Sequence, residues 1–244
     1  MLAVLAAGPA LSVEYALTYI SVPGQIDYVR TNVGVAPAVD SPQSDLASFG
    51  AFGFVAVVPI PGLVGPFAPA VEAGFALPAG DQAFDHRNLA LNASSHNGRH
   101  DGDFTTWNVT AVPILVAVRY SRASENVTFG GEVGLGVFFL GVTTDRTLTT
   151  YNAADTTIIE HVTSSRQDVA LTPAVQALAG LVVPASEGVD LRLYGGLIWL
   201  ADVARTTTSD SANPVLIYGD AKDLPGLTIG GLGFTLRLAL NVNL

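Results

Sequence analysis

The C-terminal segment of the chain alternates strictly between apolar and other residues. Apolar side chains stand at every second position from Phe234 to Leu244, and Thr235, Arg237 and Asn241 lie among the positions between them. A period of two requires a strand with two different faces. One face here is wholly apolar, so the segment is predicted to be a β-strand that meets either a second sheet or lipid.

Seven upstream segments show related patterns of strand-like length. They lie at about 13–19, 46–58, 67–77, 112–120, 127–139, 168–181 and 189–199. Most of them alternate, whereas 46–58 is apolar on both faces and rich in glycine. The total is eight predicted strands, and an even number is typical of single-chain bacterial membrane barrels.

The predicted connections alternate between short and long. The short ones, at 59–62, 121–126 and 184–188, carry the Pro, Gly, Ser and Asn residues of turns. The long ones, at about 23–44, 79–104, 144–167 and 205–226, are polar. This alternation predicts the outer-membrane topology, in which four long loops face outward and both termini lie on the periplasmic side.

Composition favours a membrane barrel over a soluble one. The chain has 244 residues, of which 49% are hydrophobic and only 13% charged, with a mean hydropathy of +0.43. A helical span would need about 20 consecutive apolar residues, and glycine, proline or polar residues interrupt every apolar run. Only helices and closed barrels satisfy all backbone hydrogen bonds in lipid, so a closed barrel is predicted.

Charge and cysteine content exclude several functions. The net charge is −10 and there is one lysine, Lys222, so a nucleic-acid partner is not expected. The absence of cysteine excludes disulfides and thiolate metal sites. No cofactor is predicted.

Two segments resemble known membrane barrels. Gly233–Leu244 is similar to the terminal signal that the barrel-insertion machinery reads, and Val112–Tyr120 is similar to a fourth-strand pattern. Over about residues 11–244 the chain resembles the small eight-stranded outer-membrane barrels of the OmpA and OmpW type. The resemblance implies an all-β, antiparallel, transmembrane up-and-down barrel in the bacterial outer membrane, with outer-membrane lipid and the insertion machinery as partners. Residues 1–10 are expected to be a lead-in or a residual signal segment.

Seven charged residues fall on positions predicted to face the lumen. An eight-stranded barrel is only wide enough inside for side chains, and isolated buried charges are costly. A hydrogen-bonded charge network across the lumen is therefore predicted. Its members are Glu14, Glu72, Arg119, Glu132, Asp190, Arg192 and Arg237.

No catalytic or metal site is predicted. The four histidines, His86, His96, His100 and His161, all fall in predicted loops, at spacings that match no metal motif. The nearest approach to a nucleophile and base set is the group Glu160, His161, Ser164, Ser165 and Asp168. No predicted strand carries an inward histidine, so chance proximity in a Ser/Thr-rich loop explains this group better.

The glycines of Gly130–Gly136 do not form a phosphate-binding loop, because they lie within a predicted strand and no helix follows. They are expected to make room in the lumen for larger neighbours.

The function expected from these features is a non-enzymatic, structural or surface-interaction role through the long outer loops. The fourth loop contains the apolar stretch Pro214–Tyr218, which suits a neighbouring envelope or surface protein. Two alternatives stay open, a small-solute pore and a rim hydrolase that acts on envelope lipid or peptide.

Overall fold

The computed structural model of the chain describes residues 12–32, 39–60, 67–80, 82–87, 100–123, 128–151, 158–186, 189–205 and 226–243. Among these residues, no helix is long and apolar enough to cross a membrane. The described elements are all β-strands: β1 (Ser12–Asn32), β2 (Val39–Pro59), β3 (Phe67–Pro78), β4 (Gln82–Arg87), β5 (His100–Ala123), β6 (Thr128–Tyr151), β7 (Ile158–Ser186), β8 (Val189–Arg205) and β9 (Gly226–Asn243).

The strands form one antiparallel sheet that closes on itself. Strands that are neighbours in chain order pair with each other except β3 and β4, and β1 pairs with β9 from Ser12 opposite Asn243 to Asp27 opposite Gly226. β3 and β4 both pair with β5, so together they occupy one of the eight places in the ring. The predicted eight-stranded, antiparallel, up-and-down fold is confirmed.

The two ends of the barrel differ in their connections. The passages from β2 to β3, β5 to β6 and β7 to β8 leave only residues 60–66, 124–127 and 187–188 outside the strands. They lie at the same end as Ser12 and Asn243, which we name the short-turn end. The opposite end, where β1 passes to β2 and β6 to β7, is the far end.

Two of the four predicted long loops, 23–44 and 144–167, are mostly strand. Where 23–44 was expected to be a loop, β1 continues to Asn32 and β2 begins at Val39. Strand structure likewise covers most of 144–167, but only 82–87 and 100–104 of the predicted loop 79–104, and the passage from β8 to β9 falls at 205–226 as expected. The reason is that ladder hydrogen bonds join backbone groups, so polar side chains can continue a strand beyond the apolar band. Residues 206–225, including Pro214–Tyr218, and residues 1–10 lie outside the described residues.

The two faces of the barrel wall have the composition that the alternation predicts. On β9 the Leu238 side chain is 46% exposed on the outside, whereas the neighbouring Arg237 is 2% exposed inside. Large apolar side chains cover the outer face at each of the eight strand positions of the ring. They include Tyr15, Leu17, Phe52, Phe54, Phe75, Leu77, Ile114, Val116, Val133, Leu135, Leu171, Leu193, Leu197, Trp199, Leu236 and Leu240.

β2 is apolar on both faces, as expected. Phe52 and Phe54 point outward and are exposed, while Ala51, Val55 and Val57 are buried inside. Its outer face continues an aromatic cluster from β1, because the ring centroids of Tyr19 and Phe52 are 4.8 Å apart. Because β2 places apolar residues on both its lipid-facing and its lumen-facing side, its sequence shows no alternation of apolar and polar residues.

The paired segments between neighbouring strands differ in length. β6 and β7 pair along nearly their whole lengths, whereas β7 and β8 pair only between Ala174 and Ser186 on β7. Just beyond the last pair, the Thr172 hydroxyl donates to the Ala201 carbonyl at 2.6 Å. β8 shifts register against β9 there, and Gly231 has a φ of 98°, a conformation that favours glycine.

Candidate functional site in the barrel lumen

Six strands contribute charged side chains to one half of the lumen. Glu14 comes from β1, Glu72 from β3, Arg119 from β5 and Glu132 from β6, while Asp190 and Arg192 come from β8 and Arg237 from β9. All of them lie in the half of the barrel nearer the short-turn end. Arg119 and Glu132 are direct partners in the β5–β6 register, which is the pairing that favours opposite charges on one face.

Arg237 holds two carboxylates at the centre of this group. Its Nη2 donates to Glu72 Oε2 at 2.8 Å, and its Nη1 lies 3.2 Å from Glu72 Oε1 and 3.1 Å from Glu132 Oε1. All three side chains are buried. The two-point contact with Glu72 is the strong, bidentate form of the arginine–carboxylate pair.

Glu14 joins two further arginines. Its Oε2 accepts from Arg119 Nη2 at 2.6 Å and from Arg192 Nη1 at 2.8 Å. Arg119 Nε also lies 3.1 Å from Glu132 Oε2, which links this part to the Arg237 group. Arg192 Nη2 lies 3.5 Å from Asp190 Oδ2, the longest contact of the set.

The structure therefore brings all seven predicted residues into one continuous series of contacts. The order is Asp190, Arg192, Glu14, Arg119, Glu132, Arg237, Glu72. We name this series the charge chain. Without Asp190, which is 29% exposed at its end, three guanidinium groups balance three glutamates.

Sequence reasoning left one member out of the polar group. The Gln176 amide nitrogen on β7 lies 3.1 Å from Glu132 Oε1 and 3.4 Å from Glu72 Oε2. Gln176 stands at an inward position in the alternation of the predicted strand, and that position indicates a side chain in the lumen. Its side chain carries no formal charge, so the charge pattern alone does not mark it as a member of the network.

Much of the lumen beyond the charge chain is filled by apolar side chains, with Thr105, Thr144 and Arg146 buried among them, and the sequence analysis missed this filling too. On β6, Phe138 and Leu140 follow Glu132 towards the far end, and on β5 Trp107 precedes Arg119. These side chains are fully buried and belong to one cluster, which we name the apolar layer. Its other large members are Ile20, Val22, Ile26, Phe49, Val109, Leu115, Val142, Ile198, Leu200, Leu227 and Ile229. Inward apolar residues cannot be told from lipid-facing ones when both neighbours in sequence are apolar.

The glycines of β6 do make room for larger side chains, as expected. A Cβ atom at Gly130 would lie 2.8 Å from the Tyr194 hydroxyl oxygen. Tyr194 is itself buried in the lumen, and its ring centroid lies 6.0 Å from the Arg119 guanidinium carbon.

Of the residues considered for catalysis, Ser165 and Asp168 have described side chains, and both lie towards the far end of β7. Ser165 and Asp168 on β7 have opposite parity, so their side chains leave the strand on opposite faces. Asp168 Oδ1 accepts from Arg166 Nε at 2.9 Å. Within the described part of the chain, no group of three or more His, Cys, Asp or Glu side chains could hold a metal ion. His96 and the side chains of Glu160, His161, Ser164, His86 and His100 lie outside the described residues.

Comparison with known proteins gives similarity in structure alone. No protein-family model matches the chain, and no curated protein is similar in sequence. Neisserial surface protein A is 7% identical, with a TM-score of 0.35, over 93% of this chain and 97% of its own. The outer membrane protease OmpT from Escherichia coli is 7% identical, with a TM-score of 0.33, over 98% of each chain.

A third similar structure is Ail, the attachment invasion locus protein of Yersinia pestis, in complex with the heparin analogue sucrose octasulfate. It is 10% identical, with a TM-score of 0.27, over 92% of this chain and 98% of its own.

The architecture itself decides the class of the protein. A closed ring of antiparallel strands with an apolar exterior and polar side chains inside is the arrangement of membrane-spanning barrels. The chain is a β-barrel of the outer-membrane type. Its apolar exterior is suited to a lipid bilayer, which agrees with the location that the sequence analysis expected.

Proposed function

We propose that the protein is a closed, non-enzymatic barrel that serves as a scaffold in the outer membrane and presents an interaction surface at its far end. The observation that carries this proposal is the filling of the lumen. The charge chain and the apolar layer lie in series between the short-turn end and the far end, and their side chains are mostly buried. A solute would have to displace both to pass.

The strand lengths support the surface role. β5 and β6 have 24 residues each and β7 has 29, although a tilted strand needs only about 9–11 residues to cross the hydrocarbon layer. The surplus projects at the far end as a paired sheet. Phe104, Asp145 and Ser165 are exposed there, so the projecting sheet offers a surface ordered by backbone hydrogen bonds to a neighbouring envelope or surface protein.

A non-enzymatic role agrees with the contacts of the far-end polar residues. Asp168 is engaged by Arg166 on its own strand, and Ser165 leaves the strand on the opposite face. A nucleophile needs a base within hydrogen-bond reach, oriented by a third group. Ser165 and Asp168 do not supply that arrangement.

Two general partners complete the proposal. The apolar exterior is suited to outer-membrane lipid. The alternating terminal strand, β9, is the segment that we expect the barrel-insertion machinery to read.

Planar-bilayer recording tests the closed lumen. The purified barrel should give no steady ion conductance, and Phe138→Ala with Leu140→Ala and Arg237→Ala should introduce a measurable leak because both the apolar layer and the charge chain lose large side chains. The matched variant Phe139→Ala, on the adjacent outward position, should not leak. Steady conductance of the unaltered barrel that changes on Arg237→Ala would overturn the proposal in favour of a pore.

Crosslinking in the native envelope tests the surface role. Photo-reactive residues at Phe104 and Asp145 should capture a discrete neighbouring protein, and a photo-reactive residue at Ser121 on the short-turn end should not capture that protein. Replacement of Asp145 and Ser165 by lysine should reduce the capture. The same yield from both ends, unaffected by these replacements, would contradict a far-end interaction surface.

A further inference from the structure

A cavity opens at the short-turn end of the lumen, next to the charge chain. Its volume is about 430 Å³, and its polar lining includes Arg119, Arg192, Asp190, Tyr194, Ser121 and Thr128. This volume lies within the range of roughly 300–1,000 Å³ that small-molecule sites occupy. Neither the closed lumen nor the far-end surface accounts for this cavity.

The two arginines in the cavity wall retain unused hydrogen-bond donors. Arg119 donates to Glu14 and contacts Glu132, and Arg192 donates to Glu14 and makes its 3.5 Å contact with Asp190. A guanidinium group carries five N–H donors. Both side chains are partly exposed to the cavity, so some of the remaining donors can reach a bound molecule.

The same two guanidinium groups are held close together. Both bind the single oxygen Glu14 Oε2, at 2.6 Å and 2.8 Å. Two positive charges held against one oxygen repel each other, and a second anionic partner relieves that repulsion. The three glutamates and three arginines of the charge chain balance, and Asp190 adds one further negative charge at the cavity wall.

The rest of the polar wall also favours an oxygen-rich ligand. Ser121, Thr128 and Tyr194 add hydroxyl groups, each of which can donate one hydrogen bond. Asp190 is the one carboxylate among the lining residues, and it stands at the end of the charge chain. Its charge opposes an incoming anion.

We propose that this cavity is a binding site for a small oxyanion, a carboxylate or phosphate group, that enters from the short-turn side. Arg119 and Arg192 supply charge-assisted hydrogen bonds, which are the strong ones in such sites. The hydroxyl of Ser121 adds a neutral donor at the mouth. Asp190 keeps the affinity low, so its removal strengthens binding.

Calorimetric titration of the folded barrel with inorganic phosphate and with citrate tests this site. The barrel is placed in phosphatidylcholine vesicles in a buffer without competing oxyanions. Arg192→Gln should weaken binding by about tenfold to a hundredfold, since a hydrogen bond to a charged group is lost. Asp190→Asn should tighten it several-fold, and Arg166→Gln at the far end should leave it unchanged.

A second arm distinguishes a free anion from a lipid headgroup. The barrel is purified from vesicles that contain phosphatidylglycerol, and the bound lipid is counted by native mass spectrometry. Retention of one more phosphatidylglycerol by the unaltered barrel than by Arg192→Gln identifies a headgroup as the source, and binding in the first arm alone identifies a free anion.

Two further variants guard against misfolding of Arg192→Gln. Ser121→Ala and Tyr194→Phe each remove one hydroxyl and keep the charge chain intact, and each should weaken anion binding by a few-fold. The proposal is overturned if neither the unaltered barrel nor Asp190→Asn binds an anion or a headgroup in either experiment. It is also overturned if the binding is the same in Arg192→Gln, Ser121→Ala and Tyr194→Phe as in the unaltered barrel.

Discussion

Arg237 on β9 and Glu72 on β3 are joined at two points across the lumen, by Nη2–Oε2 at 2.8 Å and Nη1–Oε1 at 3.2 Å. The strands that carry them are not neighbours in the ring, because β1 and β2 lie between them on one side. The pair therefore braces the barrel through its interior. Glu132 shares Arg237 Nη1 at 3.1 Å, so the loss of one arginine leaves two carboxylates without their common partner.

Arg237→Met should lower the free energy of unfolding by about 3–5 kcal/mol, because it leaves buried charge uncompensated. Urea unfolding of the barrel in vesicles measures the change. Arg166→Met provides the control, since Arg166 binds Asp168 at a more exposed position and such pairs contribute about 0–1 kcal/mol. Equal effects of the two substitutions would show that the charge chain does not brace the barrel.

Leu238→Arg should destabilise the membrane-inserted barrel by about 2–4 kcal/mol, because a charge on the lipid face near the midplane cannot be hydrated. Val169→Arg places the same side chain on the outer face of β7, nearer the far end, where the native residue is 80% exposed. There the cost should fall to about 0–1 kcal/mol. Equilibrium unfolding in vesicles compares the two. If the costs were equal, the apolar exterior would not mark the depth of the bilayer.

Phe138→Ala should cost about 3–5 kcal/mol of unfolding free energy, because it empties part of the apolar layer. The neighbouring Phe139 faces outward and is 41% exposed, whereas Phe138 is fully buried. Phe139→Ala should therefore cost clearly less. Denaturant titrations followed by tryptophan fluorescence provide the measurement. A larger loss from Phe139 would mean that the inward and outward positions of β6 are assigned the wrong way round.

Gly136→Ala should destabilise the barrel by about 1–3 kcal/mol through overpacking. An added Cβ would lie 2.8 Å from the Leu115 Cα atom and would also press on the Ile114 carbonyl oxygen, and backbone cannot turn aside as a side chain can. Gly131→Ala, in the same strand, would bring its Cβ no closer than 3.6 Å to the Leu178 oxygen. It should change stability by no more than about 0.5 kcal/mol. Similar thermal midpoints for the two variants would contradict this packing.

The number and order of the strands could be predicted from the sequence because a membrane barrel imposes a two-sided environment on every strand. The Leu236, Leu238 and Leu240 series on one side of Arg237 is visible without any structure. Parity then assigns Glu72 and Glu132 to the lumen, although it gives no distance between them. Their common contact with Arg237 depends on the stagger of non-adjacent strands, which no local pattern contains.

The extent of the strands and the apolar layer could not be predicted in the same way. Beyond the bilayer, pairing is maintained by backbone hydrogen bonds, so the polar residues of β6 up to Tyr151 look like loop residues. Phe138 lies between the apolar Val137 and Phe139, and Trp107 lies before the predicted strand, so the inward direction of both follows only from register. Loop predictions based on polarity therefore overestimated the connections.

Closure of the ring by β1 and β9 affects the order in which contacts form during folding. Thr18 and Thr235 have their hydroxyl oxygens 3.4 Å apart although 217 residues separate them along the chain. This contact is among the most non-local in the molecule, and such contacts form late because loop closure must be completed first. Until β9 has been synthesised and delivered, β1 keeps an unpaired edge that could pair with other chains. The eighteen residues of β9 therefore determine when the edge of β1 is covered and the ring can close.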